Sequence, residues 1–384
     1  MERKSKNIVS LIQIFRPVPD PRIDRTKRYE LIEIIFLTIC AVLSGFETWE
    51  EIGDFGTEKL AWLQKYLPYK HGIPSHDTIN RVMSMINHKV FEECFMSWAS
   101  MALSLPGGTQ ISIDGKKLRG SATKKEQQTS NDQGGKQAIH TLNAWCNGLQ
   151  MCLGQRQVDG KTNEITAIPE LLDFLELEGT IISIDAMGCQ KEIAGKIREK
   201  KADYIFGLKD NQESLSMGAL EAFEARNAWN QQDYDEQDDK GHGRLEKRVC
   251  RILPAEELPQ SAGAQAWKDL RRIVEIQAER VDKASGKTEM EVRYYISSLE
   301  VDAKRFNELI RSHWGIENRL HWVLDAQFGE DLSRKRIRNV AQNFAIIRKI
   351  ALNLVKANEE KISVNRKRNK CAMSDSYRQK MLGL

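Results

Sequence analysis

Apolar and polar positions divide the chain into three textures. Up to about residue 105 the spacing is helical. The longest apolar run, LIEIIFLTICAVLSGF from Leu31 to Phe46, predicts a buried helix. It contains Glu33 and falls short of the ~20 residues a membrane span needs. Ile79, Val82, Met83 and Ile86 recur at i, i+3, i+4 and i+7, so GIPSHDTINRVMSMI predicts an amphipathic helix with Ser75 or Asp77 as its cap. The prolines of RPVPDPRIDRTKR fix an extended lead-in, and LPGG (Leu105 to Gly108) closes this part. Strands and helices then alternate. TQISID (109–114) reads as a short buried strand, and AIHTLNAWC and MCLGQRQV as a hairpin across NGLQ. A helix with Pro169 in its first turn carries Leu171, Leu172 and Leu175. TIISID (180–185), a helix over KEIAGKIREKK and the strand ADYIFGL (202–208) complete an α/β layer. Residues 121–136 hold one apolar residue and read as a surface loop.

The third texture begins at 209. A polar helix (211–229), an acidic stretch, DYDEQDD, and alternating segments through RYYISSL predict a β-rich insertion at about 209–300. Beyond 302 the pattern is helical to about Ala357, with Ile337, Val340, Ala341, Phe344, Ile347, Ala351 and Leu354 on one stripe. The expected organisation is a small helical domain (1–105), an α/β domain (106–360) carrying the insertion, and a loosely held basic tail (361–384).

Composition narrows the function. Lys and Arg total 58 against 54 Asp and Glu, a net charge of +4. That excludes a histone-like polycation and permits a nucleic-acid binder with local basic faces. The seven cysteines form no C-x-x-C pair, which argues against a zinc ribbon or a disulfide framework and fits a reducing cytosol. The N-terminus shows no long apolar segment, so no secretion signal is expected.

Two strands end alike. ISID ends at Asp114 before GKKLRGS, and ISID ends again at Asp185 before AMGCQ. Such aspartates stand at a carboxyl-terminal sheet edge, where open α/β sheets place their sites. Neighbouring carboxylates repel unless one is protonated or a cation lies between them, and all-oxygen ligation favours magnesium or manganese. From spacing alone, a role in capping the next turn is equally good. In RSHWGIENRLHWVLDAQFGED, His313, Glu317, His321 and Asp325 stand four apart on one helical face, with Ile316, Leu320 and Val323 turned to a core. A metal-binding helix, a zinc site without the H-E-x-x-H pattern and a salt-bridged exposed face all fit that stripe. Lys116, Lys117 and Arg119, and Arg334, Lys335, Arg336 and Arg338, are candidate phosphate contacts or plain surface charge. Trp322 reads as core, and Trp314 as core or a stacking platform. Of the other histidines, His71, His76, His88 and His242 read as surface or capping residues.

IDGKKLRGS, HTLNAW, KTNEITAIPELL, IDAMGCQ, HGRLEKR, RYYISSL and SHWGIENRLHWVLDAQFGEDLSR occur in this order. With PVPDPR, SGFETWEEIGDF and GIPSHDTINRV before them, the chain resembles the bacterial DDE insertion-sequence transposases of the H-repeat-associated type, from about Phe15 to Leu384. The resemblance implies a ribonuclease-H-like catalytic core behind a small helical domain. It makes Asp114, Asp185 and Glu317 the three acids, holding two Mg2+ or Mn2+ ions. The implied substrate is double-stranded DNA, both element ends and target. Cleavage would free a 3′-hydroxyl that is then joined to the target. It also implies a homo-oligomer on DNA in the bacterial cytoplasm, at the nucleoid, with no membrane. His313, Asn318 and His321 become candidate DNA contacts. The wider superfamily often shows Y-x-x-R-x-x-x-E-x-x-x-x-x-x-K; here Ile310, His313 and Leu324 stand at the Tyr, Arg and Lys positions. A relic that binds or nicks DNA without transposing is the alternative, against which the complete acid set speaks. A metal-free carboxylate-pair sugar hydrolase is a third, disfavoured by the basic clusters.

Overall fold

The computed structural model describes residues 8–101, 105–123, 137–158, 164–226, 228–241 and 244–383. Most of the 121–136 loop, Lys161 to Asn163 and His242 lie outside the described residues.

The N-terminal region is helical: α1 (Ile8–Phe15), α2 (Leu31–Leu43), α3 (Trp49–Glu58), α4 (Leu60–Leu63), α5 (His76–Met85) and α6 (His88–Met101). Helix α2 is buried at every position. The one charge in its run, Glu33, works as a cap. Its Oε2 accepts from the Glu30 N–H at 3.1 Å and its Oε1 from the Tyr69 N–H at 2.6 Å. Ser75 caps α5, with its Oγ accepting from the Thr78 N–H. Among the described residues no helix is long and apolar enough to cross a membrane.

A single nine-stranded sheet follows. Its strands are β1 (Gln110–Leu118), β2 (Ile139–Cys146), β3 (Met151–Val158), β4 (Ile181–Ile184), β5 (Asp203–Leu208), β6 (Tyr234–Gly241), β7 (Arg244–Pro254), β8 (Arg272–Asp282) and β9 (Thr288–Ser297). The order is β3-β2-β1-β4-β5-β9-β8-β7-β6. β1, β4 and β5 run parallel, and the other pairings are antiparallel. The first five strands have the mixed 3-2-1-4-5 arrangement of a ribonuclease-H-like core. The insertion strands prolong this sheet, because β9 pairs with β5 from Ile205↔Ser297 to Leu208↔Tyr294.

Alternation decides what each face does. Ile111, Ile113, Ile182 and Ile184 point to the face covered by α7 (Glu164–Asp173) and α8 (Lys191–Glu199). Ser112, Asp114, Ser183 and Asp185 point to the other, which α10 (Ala303–His313) covers. Helix α9 (Glu213–Ala225) precedes β6. After α10 come a π-helical turn (Glu317–His321), α11 (Trp322–Phe328), α12 (Val340–Ala357), α13 (Val364–Met373) and α14 (Asp375–Met381).

Four expectations are revised. β1 does not stop at Asp114 but runs on to Leu118, held by β2 alone once β4 has ended at Ile184. Helix α7 begins at Glu164, so Pro169 stands inside it. Ile337 is exposed and precedes α12, which therefore carries a shorter stripe. The tail is two helices, not a loose strand. Arg368 lies under the surface, donating to the Val42 carbonyl and, at 2.8 Å, to Glu47 Oε1. Arg378 is fully buried.

One apolar cluster runs from Leu11 to Leu382 and joins the N-terminal helices, the α7/α8 face and the last helices. Helix α12 is its spine. Asn343 Nδ2 donates to the Met83 and Ile86 carbonyls, while Asn353 brackets Cys152, accepting from its N–H and donating to its C=O. These bonds satisfy the Asn353 amide and the Asn343 Nδ2 group, and they fix how α12 sits on its neighbours.

Candidate active site

Asp114 sits where the β1–β4 pairing ends. Ile113 still faces Ile184, whereas Asp114 is paired only with Asn143 of β2. Asp185 is the next residue after β4. Both carboxylates therefore leave the same face of the sheet at its splayed edge. Asp114 Oδ1 accepts from the Gly115 N–H at 2.8 Å, and Asp185 Oδ1 caps the following turn by accepting from Met187 N–H at 3.1 Å. The capping reading is thus true of Asp185, and it leaves the second oxygen of that carboxylate for other work.

The π-helical turn brings Glu317 across this edge. Burial and then the neighbouring Asp185 charge push the Asp114 carboxyl up to about 7, with Glu317 and Glu164 adding to the rise. Asp185 opens to solvent, yet the concave edge desolvates it and raises its pKa, with Glu164 second. Glu317 is raised by burial, opposed by the Arg293 guanidinium and helped by Asp185. Mutual electrostatic coupling of this kind requires the groups to be close. Asp114 thus feels the charge of three other carboxylates, Asp185, Glu317 and Glu164.

Glu164, at the start of α7, is the one the sequence did not offer. It pairs with His140 Nε2 at 2.8 Å. A side chain at residue 115 would run into Glu164 Oε1 and His140, which is why glycine follows Asp114. The available signal was the Glu in KTNEI, but Pro169 read as a helix start placed that Glu in a loop.

Of the four-apart stripe, His313, His321 and Asp325 have protein partners, whereas Glu317 is exposed. His313 Nδ1 meets Ser183 Oγ at 2.9 Å in a polar chain that continues to Ser112 and Gln110. Burial drives its pKa down to about 4, so its ring is neutral. His321 is buried and lowered to about 3, by burial first and then by the Lys116 and Lys349 charges. Asn143 Nδ2 lies 3.3 Å from His321 Nε2 and also near the Thr141 carbonyl. With the amide so oriented, Nε2 accepts and the ring hydrogen sits on Nδ1, 3.6 Å from Asp114 Oδ2. Asp325 pairs with Lys116 at 2.6 Å. Gly315 is required because a Cβ there would lie 2.5 Å from Asn147 Oδ1.

The basic candidates divide. Lys116 is buried among Asp325, Glu330 and Asp331, and Lys335 is half-buried, donating to the Glu47 carbonyl beneath Trp49 and Phe344. Burial lowers the Lys335 ammonium to about 8. Arg336 Nε donates to the Gly120 carbonyl. These three, with His313 and His321, are engaged with protein partners. Lys117, Arg119, Arg334, Arg338 and Asn318 are exposed, with Arg119 3.5 Å from Asp331 and Asn318 donating to the Trp314 carbonyl. Trp322, expected in the core, is 60 % exposed, because the π turn rotates it outward. Trp314 is partly buried under the Arg293 guanidinium, 4.9 Å away. Cys189, beside Asp185, is buried and pushed up to about 12 by burial.

The donor set is hard oxygen, and its repulsion is unrelieved by any cationic side chain on Asp114. That chemistry fits a divalent cation. Among the described residues, no three His, Cys, Asp or Glu side chains stand as a ready-made ligand group.

Comparison with known proteins gives a consistent result. The family model described as "Transposase DDE domain" matches residues 106–354, and the "DDE_Tnp_1-associated" model matches residues 12–99. The Escherichia coli O157:H7 protein named "Putative transposase YncI" is 41% identical over 380 residues, covering 98% of this chain and 95% of that protein. The Escherichia coli K12 protein named "H repeat-associated putative transposase YhhI" is 40% identical over 368 residues, covering 94% of each. A piggyBac transposase solved in a synaptic complex with hairpin DNA covers 98% of this chain and 82% of its own, at 12% identity and a TM-score of 0.46.

Proposed function

Because the chain belongs to the DDE transposase family, we propose that it cleaves the ends of its own insertion element and joins the freed 3′-hydroxyl to target DNA, using Asp114, Asp185 and Glu317. The observation that carries this reading is the placing of Asp114 and Asp185 where the β1–β4 pairing ends, with the Glu317 charge in electrostatic reach of Asp114 and Asp185.

Asp114, Asp185 and Glu317 would hold two divalent ions, Mg2+ or Mn2+. When bound, such ions activate the attacking oxygen and stabilise the leaving one in an in-line displacement. The protein residues then have definite tasks. Asp114, protonated near neutral pH when alone, gives up its proton to become a ligand. His321 presents its Nδ1 hydrogen toward Asp114 Oδ2, 3.6 Å away. The Arg293 charge favours the ionised form of Glu317 against the burial that raises its pKa. In the first step a water oxygen attacks the phosphorus and the 3′-oxygen departs as a hydroxyl. In the second, that hydroxyl attacks a target phosphorus and displaces another 3′-oxygen. The same acids serve both steps. Exposed Lys117, Arg119, Arg334 and Arg338 supply phosphate contacts, and two ends are held by a homo-oligomer.

The test uses purified protein, Mg2+ and a DNA fragment spanning the gene with its flanks. Nicks at the element boundaries and joined products are expected. Asp114→Asn, Asp185→Asn and Glu317→Gln should each remove both while retaining DNA binding. A D114N protein that still cleaves ends would refute the assignment. Nicking without joining, in the wild type, would favour the relic that does not transpose.

A further inference from the structure

A second site lies next to the carboxylate edge. A cleft of about 930 Å3 opens between the inner face of β7–β9 and the α10–π-turn segment, and it reaches Trp314, Gly315 and Asn318 beside Glu317. Six arginines line it: Arg248, Arg280, Arg293, Arg305, Arg311 and Arg319, against the two acids Glu246 and Glu308. Four of them have acidic partners, among them Arg280 with Glu291 at 3.1 Å and Arg311 with Glu246 at 3.2 Å.

Arg248 is different. It comes from β7 on the face that α10 covers, two residues before buried Cys250, and is 6 % exposed. Its Nε is buried with no hydrogen-bond partner, and among the described residues the side chain makes no hydrogen bond and no ion pair. Glu246 is the acid whose charge reaches Arg248, but a buried guanidinium nitrogen without a hydrogen-bond partner is costly to fold around. A protein that keeps one at the wall of an arginine-rich cleft has a use for an anion there. Arg319 likewise lacks a partner, and Arg293 spans the cleft and the Glu317 site.

We propose that this cleft seats the phosphodiester backbone of the DNA strand entering the carboxylate edge, with Arg248 closing on a phosphate oxygen. The Arg293 position favours a strand over an unrelated anion, since it ties the cleft to the residue beside the scissile bond. This proposal rests on reading the chain as a DNA-cleaving enzyme.

The experiment measures binding of full-length protein to a labelled duplex with a single-stranded overhang, over a salt series, without divalent ions. Arg248→Met and Arg293→Gln are each expected to weaken binding about tenfold and to flatten the salt dependence by roughly one charge. Arg271→Gln, which removes a surface pair with Glu300 outside the cleft, should change neither. Thermal melting separates a ligand role from a scaffold role. Arg248→Met should melt at or above the wild-type temperature, since it removes a buried nitrogen that has no hydrogen-bond partner. Unchanged DNA affinity in Arg248→Met, or a lowered melting temperature, would overturn the proposal. So would an RNA strand or an acidic peptide that displaces the DNA at lower concentration. If the wild type binds DNA through these arginines yet never cleaves it, the functional reading fails and the cleft stands. If cleavage occurs and Arg248→Met binds normally, only the cleft fails.

Discussion

Asp114 carries the largest penalty at the edge, and its sign is testable. Its carboxyl is raised from 3.8 to about 7, so the folded state prefers the protonated form. The associated stability is fully present below pH 3.8 and is lost as pH rises through about 7. Metal-free Asp114→Asn should therefore melt higher than wild type at pH 8, with the gap closing toward pH 5, as differential scanning calorimetry would record. His313 acts in the opposite direction. Its pKa falls from 6.5 to about 4, so its contribution is complete above pH 6.5 and disappears as pH drops toward 4. Glu164 raises both aspartates. Glu164→Gln should accordingly move the acidic limb of the activity profile to lower pH, and an unshifted limb would deny its influence on the edge. That Asp114 and Asp185 lie at the ends of neighbouring strands was legible from two matching ISID segments, whereas the role proposed for Glu317 rests on the ordered set of motifs. Glu164 was not, because a proline is a strong start signal for a helix and outweighed the acid before it.

At the scale of elements, the π-helical turn is the feature on which the site depends. It adds one residue to the helical ladder, with Trp322 N–H bonding to the Glu317 carbonyl. An α-helix turns about 100° per residue, so without this extra residue Glu317 and His321 would not keep their present relation to the sheet while Leu320 and Leu324 stay buried. Deleting exposed Asn318 is expected to preserve folding, read by circular dichroism, and to abolish strand cleavage. Retained cleavage would show that the register is not required. Periodicity in this region predicted the correct four-apart stripe but could not reveal the turn, since a single inserted residue leaves the local pattern of apolar positions almost intact. The placement of Trp322 failed for the same reason. Strand identities were easier to read, because β-branched alternation in ISID and IISID is a short-range signal. Their neighbours were not, since the β9–β5 pairing that extends the sheet joins residues remote in sequence.

For the whole molecule, the basic tail illustrates what composition hides. NRKRNK looks solvated, yet Arg368 and Arg348 both reach Glu47, across more than 300 residues of sequence. Arg368 also donates to the Gln327 carbonyl and stacks on Phe328. Arg368→Ala removes donors to Val42, Gln327 and Glu47, while Glu47 keeps Arg348, and should cost about 1–3 kcal/mol. Chemical denaturation would show it as a lower midpoint, and a change inside experimental error would contradict this account. Charge counting could not distinguish such an arginine from one facing water, because a guanidinium is at home in either setting when its donors are matched.

The spine role of α12 has a consequence for synthesis. The apolar helix Leu31–Leu43 is covered by α12 and the helices after it, which a ribosome makes about 300 residues later. At about 5–20 residues per second, that greasy segment waits roughly 15–60 seconds for its cover. Until α12 emerges from the ribosome, that face of Leu31–Leu43 lacks its cover, and a chain interrupted before α12 leaves it bare to other apolar surfaces.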